Sequence, residues 1–310
     1  MQVILGANGI IGEGLAKELR THYTRELKLV GRHPKKVNSD DLLFTGDLLN
    51  PEAVNKALKY CEIAYLTVGL PYDSEVWLRD WPIIMQHVIS GCKANHCKLV
   101  YFDNTYAYPQ DVEIQTENTP LKPNGKKGKA KKMAAKLLLE AINKKEIDAV
   151  ICRAPEFYGP GKTKSITNTL LFEKLKANKK PKVLLKDDVL RTLIYTPDAS
   201  KAMALIGNTP DTYGQTWHLP CCEERLTYKG ILEEISKALG RPINYSVMHP
   251  FILKIASLFN TTIKETQELL PRYAIDNIFD SSKFKTRFPD FGTTSYPEGI
   301  RQVLDDSEIT

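Results

Sequence analysis

One stretch near the start of the chain constrains its fold more than any other: VILGANGIIGEGLAKELR, residues 3–20, in which Gly6, Gly9 and Gly12 stand three apart between an apolar run and an amphipathic one. Residues 3–5 read as a buried strand, and Leu15, Ala16 and Leu19 recur at helical spacing. The glycines therefore occupy a strand-to-helix turn. Such a turn aims unpaired backbone N–H groups and the positive end of a helix dipole outward. With no Cβ in the way, a pyrophosphate can approach the main chain. The pattern predicts a dinucleotide site at the first turn.

The rest of the chain repeats that rhythm. Strand-like runs near residue 3 and at 27–30, 42–44, 63–67, 98–102 and 149–152 alternate with helical patterns beginning near Ile10, Pro51, Glu75 and Lys126. Alternation of this kind predicts right-handed crossovers and an α/β fold with a doubly wound parallel sheet of the Rossmann type. After Arg153 the rhythm changes: a Gly/Pro loop, APEFYGPGK, leads to a helix over 168–176, short strands near Val183 and Leu193, and further helices. Residues 1–153 are expected to form the nucleotide-binding domain. Residues 154–310 are expected to form mainly a smaller, mixed α/β substrate domain, with some segments returning to the sheet.

Bulk properties exclude several function classes. The 310 residues carry a formal net charge of +6, and much of the excess lies in LKPNGKKGKAKKMAAKLLLEAINKK, residues 121–145. Met133, Ala134, Leu137, Leu138 and Ile142 give that stretch an apolar helical face with lysines pointing to water. No aromatic residue interleaves with the lysines, so no nucleic-acid partner is expected. Six cysteines are scattered among apolar runs, and Cys92, His96 and Cys97 straddle a helix end and a strand start, so no metal site is expected. The chain opens directly on its first strand, and no apolar run approaches the ~20 residues of a membrane span. A cytoplasmic protein with no leader and no membrane partner is expected.

In the NAD version of a glycine-turn site, a carboxylate about twenty residues beyond the last glycine binds the ribose hydroxyls. Here that region reads LKLVGRHPKK, with Gly31 followed by Arg32, Lys35 and Lys36 and no acid nearby. A guanidinium attracts a 2′-phosphate where a carboxylate repels it. The reading favours NADP(H) over NAD(H), with Arg32 on the 2′-phosphate.

GANGIIG, GRHP, GDLLNPEAV, VYFDNTYAYP, RAPEFYGPG, RTLIYTPDASKA and FDSSKF occur in the order and at the spacings of extended short-chain dehydrogenases/reductases, and the chain resembles that NAD(P)-dependent epimerase/dehydratase group over nearly its whole length. The resemblance implies that Gly6, Asn8, Gly9, Ile10, Ile11 and Gly12 cradle the cofactor. It implies that Asp47 and Leu48 border the adenine, that Thr67, Val68 and Gly69 lie along the cofactor, and that Lys127 meets the nicotinamide ribose. Asn104 or Thr105 takes a polar post usually held by Ser or Thr. Tyr195 and Asp198 match a strand-to-helix motif, Arg191 matches an arginine that binds a substrate phosphate, and Tyr158 lines the site from the far side. Tyr72, Trp77 and Trp81 suggest an aromatic wall. Relatives often pair through helices flanking the fourth and fifth strands, so a homodimer is possible.

One motif departs. Redox members place a Tyr and, four residues on, a Lys on one helix, which puts both side chains on one face. The ammonium helps the phenol exchange a proton with substrate oxygen. Aligning KPNGKKGKA with that helix puts Lys127 at the lysine post and Pro123 at the tyrosine post. The literal pattern occurs at Tyr158 and Lys162, but Gly159, Pro160 and Gly161 forbid a helix between them. Three readings stay open: Tyr106 or Tyr108 supplies a substitute phenol; water or Lys127 supplies the proton; or the protein senses NADP(H) redox state without catalysis. The implied pocket favours an oxidoreductase or epimerase-like enzyme acting on a small organic or nucleotide-sugar-like substrate.

Overall fold

The computed structural model describes residues 1–306. Seven parallel strands form the central sheet: β1 (Gln2–Leu5), β2 (Leu27–Gly31), β3 (Leu42–Thr45), β4 (Ile63–Leu66), β5 (Lys98–Asn104), β6 (Ala149–Ala154) and β7 (Thr216–His218). Their spatial order is β3-β2-β1-β4-β5-β6-β7. The order reverses between β1 and β4, and the crevice at the carboxyl ends of these strands is where doubly wound sheets bind ligands.

Helices cover both faces, which is why the strands read as continuous apolar runs. The pleat sends Val3 and Leu5 into one core with α2 (Pro51–Leu58), α3 (Ser74–Asn95) and α4 (Lys126–Asn143). It sends Ile4 into a second core with α1 (Ile10–His22) and α5 (Thr196–Gly207). Cap chemistry sets several of these helix starts. Asn50 accepts from Ala53 N ahead of Pro51, and Asp73 accepts from Glu75 N and Val76 N ahead of α3.

β7, contributed by residues far along the chain, pairs with β6 at Thr216 to Ile151 and closes the sheet's edge. A third core gathers Tyr158, Phe172, Leu193, Tyr273 and Tyr296 with α6 (Tyr228–Leu239), α7 (Pro250–Phe259) and α9 (Tyr296–Asp305). Between α7 and α9 lie α8 (Thr261–Thr266) and a 3-10 turn, Gln267–Tyr273, which bring the C-terminal part of the chain over the start of α4. Among the described residues no helix is long and apolar enough to cross a membrane.

Candidate active site

The first turn of the chain is built for close approach. Gly6 has φ +98°, and a Cβ there would lie 2.6 Å from Val68 N; at Gly12 it would lie 2.9 Å from Ala7 Cα. Only glycine meets both demands. Gly9 caps α1 in extended conformation with no side-chain cap, so the N–H groups of Ile10, Ile11 and Gly12 begin the helix without a side-chain acceptor from the cap residue. Thr67 at the end of β4 turns its hydroxyl to the carbonyls of Leu5 and Gly6. Asn8 bridges this turn to the end of β2, donating to His33 O and accepting from Lys35 N. Arg32 and Asp47 are exposed, Leu48 is buried, and Gly69 is open to solvent. The uncapped helix start and the cradle that a Cβ would fill fit a dinucleotide pyrophosphate.

A second group converges at the start of α4. The helix begins at Lys126 behind the cap Gly125, so Pro123 stands outside it and holds no post on its face. Lys127 and Lys131, four apart, are the two lysines of α4 that turn inward, and each is nearly inaccessible. Their spacing of one helical turn is the spacing of the tyrosine and lysine in the related motif. Gly128 permits this register: a Cβ there would run into the Tyr106 carbonyl and lie 2.6 Å from Pro123 Cβ.

The Lys127 ammonium donates to the Glu265 carboxylate at 2.6 Å and to the Glu265 carbonyl at 2.6 Å, and pairs with Glu268 at 3.0 Å. It also lies 4.5 Å above the Tyr72 ring. Tyr72 and Tyr106 join hydroxyls at 3.0 Å. Glu265 accepts from Ser74 Oγ at 2.9 Å, tying α8 to the start of α3. Burial works to lower the pKa of Lys127, but the hydrogen bond it donates to Glu265 and the proximity of Tyr72 and Glu268 outweigh it and hold the ammonium above its ordinary value. Burial, then the neighbouring Tyr72, pushes the Tyr106 phenol well up. The site thus pairs a firmly charged ammonium with a neutral phenol.

Beneath it, Lys131 pairs with Asp103 at 3.0 Å, donates to Tyr101 and sits 3.8 Å over the Trp81 ring. Arg153 grips Asp103 through Nε at 3.0 Å and Nη2 at 2.9 Å, and donates to Tyr108 at 2.7 Å. Tyr108 in turn meets His218 Nε2 at 2.8 Å, while His218 Nδ1 lies 2.6 Å from the Asp280 carbonyl. A carbonyl only accepts, so Nδ1 carries the proton and Nε2 takes that of Tyr108. Tyr108 is fully enclosed and its proton is committed, so the structure does not bring it to the Lys127 cluster. Burial opposes the Asp103 carboxylate, yet Lys131 and Arg153 overcome this and hold its carboxyl below the usual range.

Other expected residues lie apart. Arg191 is wholly buried; it donates to the Arg272 carbonyl, lies 3.8 Å from Glu156 and stacks 4.5 Å over Tyr273. Tyr158 ends the strand Glu156–Tyr158 and stacks on Tyr296, and Lys162 lies past Gly161 at φ +69° with no helix between. Asn104 accepts from Tyr106 N and so shapes the turn that presents Tyr106, next to the buried Thr105. Trp77 packs 5.3 Å from Tyr106, and Trp81 lies behind it. Sequence reading missed Lys131, Glu265 and Glu268. Four-residue spacing from Lys127 was a signal for the first; nothing local marks the other two.

The model of the NAD dependent epimerase/dehydratase family matches residues 2–219. The chain belongs to that family. A 2-alkyl-3-oxoalkanoate reductase of Shewanella oneidensis is 23% identical over 331 residues, covering 97% of this chain and 84% of the reductase. Family members of known structure share the fold. The UDP-glucuronic acid 4-epimerase of Bacillus cereus, in complex with NAD, superposes with TM-score 0.79 at 17% identity over 100% of this chain and 98% of its own. A dTDP-glucose 4,6-dehydratase of Streptomyces venezuelae, with NAD and TYD bound, gives 0.78 at 14% identity over 98% and 96%.

Proposed function

We propose that this family member is an NADP(H)-dependent oxidoreductase acting on the carbonyl or hydroxyl of a small organic substrate, with Lys127 as the group that exchanges the proton. The observation that carries the reading is the position of Lys127. It lies one helical turn before a second buried lysine, the spacing at which the related motif sets its tyrosine and lysine, with Tyr72 and Tyr106 beside it at the carboxyl ends of β4 and β5.

Gly6, Asn8, Gly9, Ile10, Ile11 and Gly12 would hold the pyrophosphate, Thr67, Val68 and Gly69 would follow the cofactor, Asp47 and Leu48 would border the adenine, and Arg32 would take the 2′-phosphate. When bound, the nicotinamide supplies or accepts the hydride. The chain's own residues handle the proton. Two N–H donors of Lys127 are engaged by Glu265, and Glu268 stands 3.0 Å away as an ion-pair partner with no hydrogen bond, so a substrate oxygen replaces Glu268 and receives a proton from Nζ as negative charge builds on it. Tyr106 and Tyr72 orient that oxygen as neutral donors, Glu265 keeps the ammonium in place, and Asn104 fixes the turn carrying Tyr106. The aromatic wall of Tyr72 and Trp77 suits an apolar substrate body. With Arg191 turned to Glu156, a nucleotide sugar suits the site less well.

The test is stopped-flow oxidation of NADPH with a panel of ketones, enones and nucleotide sugars, alongside fluorescence titration of the nucleotide. Lys127→Met is expected to bind NADPH normally and to lose turnover by about 10²–10⁴-fold. Unimpaired turnover in that variant, or tight nucleotide binding by the wild type with no turnover across the panel, overturns the reading.

A further inference from the structure

Among the described residues, five large apolar side chains on one helix stand exposed. In α7, PFILKIASLF, Phe251, Ile252, Ile255, Leu258 and Phe259 are exposed by 73%, 53%, 44%, 77% and 87%. Their spacing of one, four, seven and eight residues from Phe251 places them on a single stripe. Leu253, on the opposite side, is buried and anchors the helix to the third core. A protein normally turns such a stripe inward; this one turns it out.

The surroundings specify what covers it. From Ser246 to Lys264 the chain carries His249, Lys254 and Lys264 and no acidic residue. The strand leading into α7, Ser246–Met248, pairs with Lys182–Leu184, and the segment running up to that partner, KANKKPK, holds the exposed Lys179, Lys180 and Lys182. An apolar stripe is therefore flanked by a cationic edge. α7 has ten residues, so it is about 15 Å long. A single convex helix of that length offers much less than the roughly 800 Å² per partner of a stable protein interface. It matches a helix lying in the plane of a bilayer surface, with aromatic and aliphatic side chains in the acyl boundary and lysines at the headgroups.

We propose that α7 docks this protein peripherally on an anionic lipid surface. The association is on the membrane, not through it, and departs from the expectation that the chain has no membrane partner. It is independent of the reaction proposed above.

Cosedimentation of the purified full-length chain with vesicles tests it. Vesicles of equal parts phosphatidylcholine and phosphatidylglycerol are expected to pellet the protein, and pure phosphatidylcholine to pellet several-fold less. Phe251→Ser combined with Phe259→Ser is expected to reduce binding about tenfold, with the far-ultraviolet spectrum and NADPH affinity unchanged. Lys179→Glu combined with Lys180→Glu is expected to weaken binding to the anionic vesicles alone. A wild type that stays in the supernatant, equal partition onto both vesicle types, or a phenylalanine variant that binds as well as the wild type overturns the proposal. So does a wild-type dimer without vesicles that the phenylalanine variant splits into monomers, since a second copy would then be what covers the stripe.

Discussion

The Lys127 ammonium lies 2.6 Å from the Glu265 carboxylate, although 138 residues separate them. The contact locks the front of α4 to α8, and it sets the charge of the group proposed to move the proton. Because Glu265 raises the pKa of Lys127, Glu265→Gln should lower it. The alkaline limb of the kcat/KM profile should then fall at lower pH than in the wild type. A profile superimposable on the wild type would remove Glu265 from this role.

Discrimination between nucleotides should rest on Arg32 at the end of β2. Arg32→Ala is expected to weaken NADP(H) about tenfold and leave NAD(H) within about twofold, the loss of one charge-assisted phosphate contact. Fluorescence titration with all four nucleotides reads it, and an equal effect on both pairs counts against the assignment.

The glycine turn has no room for a side chain. Gly6→Ala would force a residue with a Cβ to φ +98° and against Val68. A loss of about 1–3 kcal/mol in urea unfolding is expected, together with weaker nucleotide binding. Unchanged stability would mean that the turn can relax at little cost.

Asp103 carries two buried cations, Lys131 and Arg153. Asp103→Asn leaves both without a countercharge and should cost about 3–5 kcal/mol. Urea unfolding measures it, and a cost below about 1 kcal/mol would show that Tyr101 and Tyr108 suffice as partners.

His218 gives stability a pH dependence. Burial, then the nearby Arg153, holds its pKa down at about 3 against an ordinary 6.5. Above about pH 6.5 both folded and unfolded forms are neutral and the contribution is complete. As pH falls toward 3, the unfolded chain takes up the proton first and stability is lost, by about 2 kcal/mol at about pH 5. His218→Gln should start from lower stability at neutral pH but lose correspondingly less on acidification. If wild type and variant lose the same amount between pH 7 and 5, His218 is not buried as a neutral ring.

Much of this architecture is legible in local pattern. The opening glycines, the alternating strands and the caps at Asn50 and Asp73 act over a few residues, where steric limits and hydrogen-bond demand leave few alternatives. The lysine-rich stretch at 121–145 also reads as a helix, but the residue at which that helix starts, and so which side chains share its inward face, is not legible there. Whether Pro123 or Lys127 fills the tyrosine post depends on where the helix starts. That point is set by Gly125 as cap and by Gly128 packing on the Tyr106 carbonyl.

Tyr106 and Tyr108 show the same division. Two residues apart after one strand, they are indistinguishable as candidate acids in the sequence. Only the packed structure separates them, giving Tyr106 to Tyr72 beside Lys127 and enclosing Tyr108 between Arg153 and His218. The sequence by itself determined the parallel sheet with its alternating helices and the glycine turn between β1 and α1, because these follow from hydrophobic period and backbone sterics along neighbouring residues. The tertiary structure alone decided which ionisable groups meet. Charges such as Lys127 and Glu265 interact through space, and no local signal in a chain records a partner that folding brings from 138 residues away.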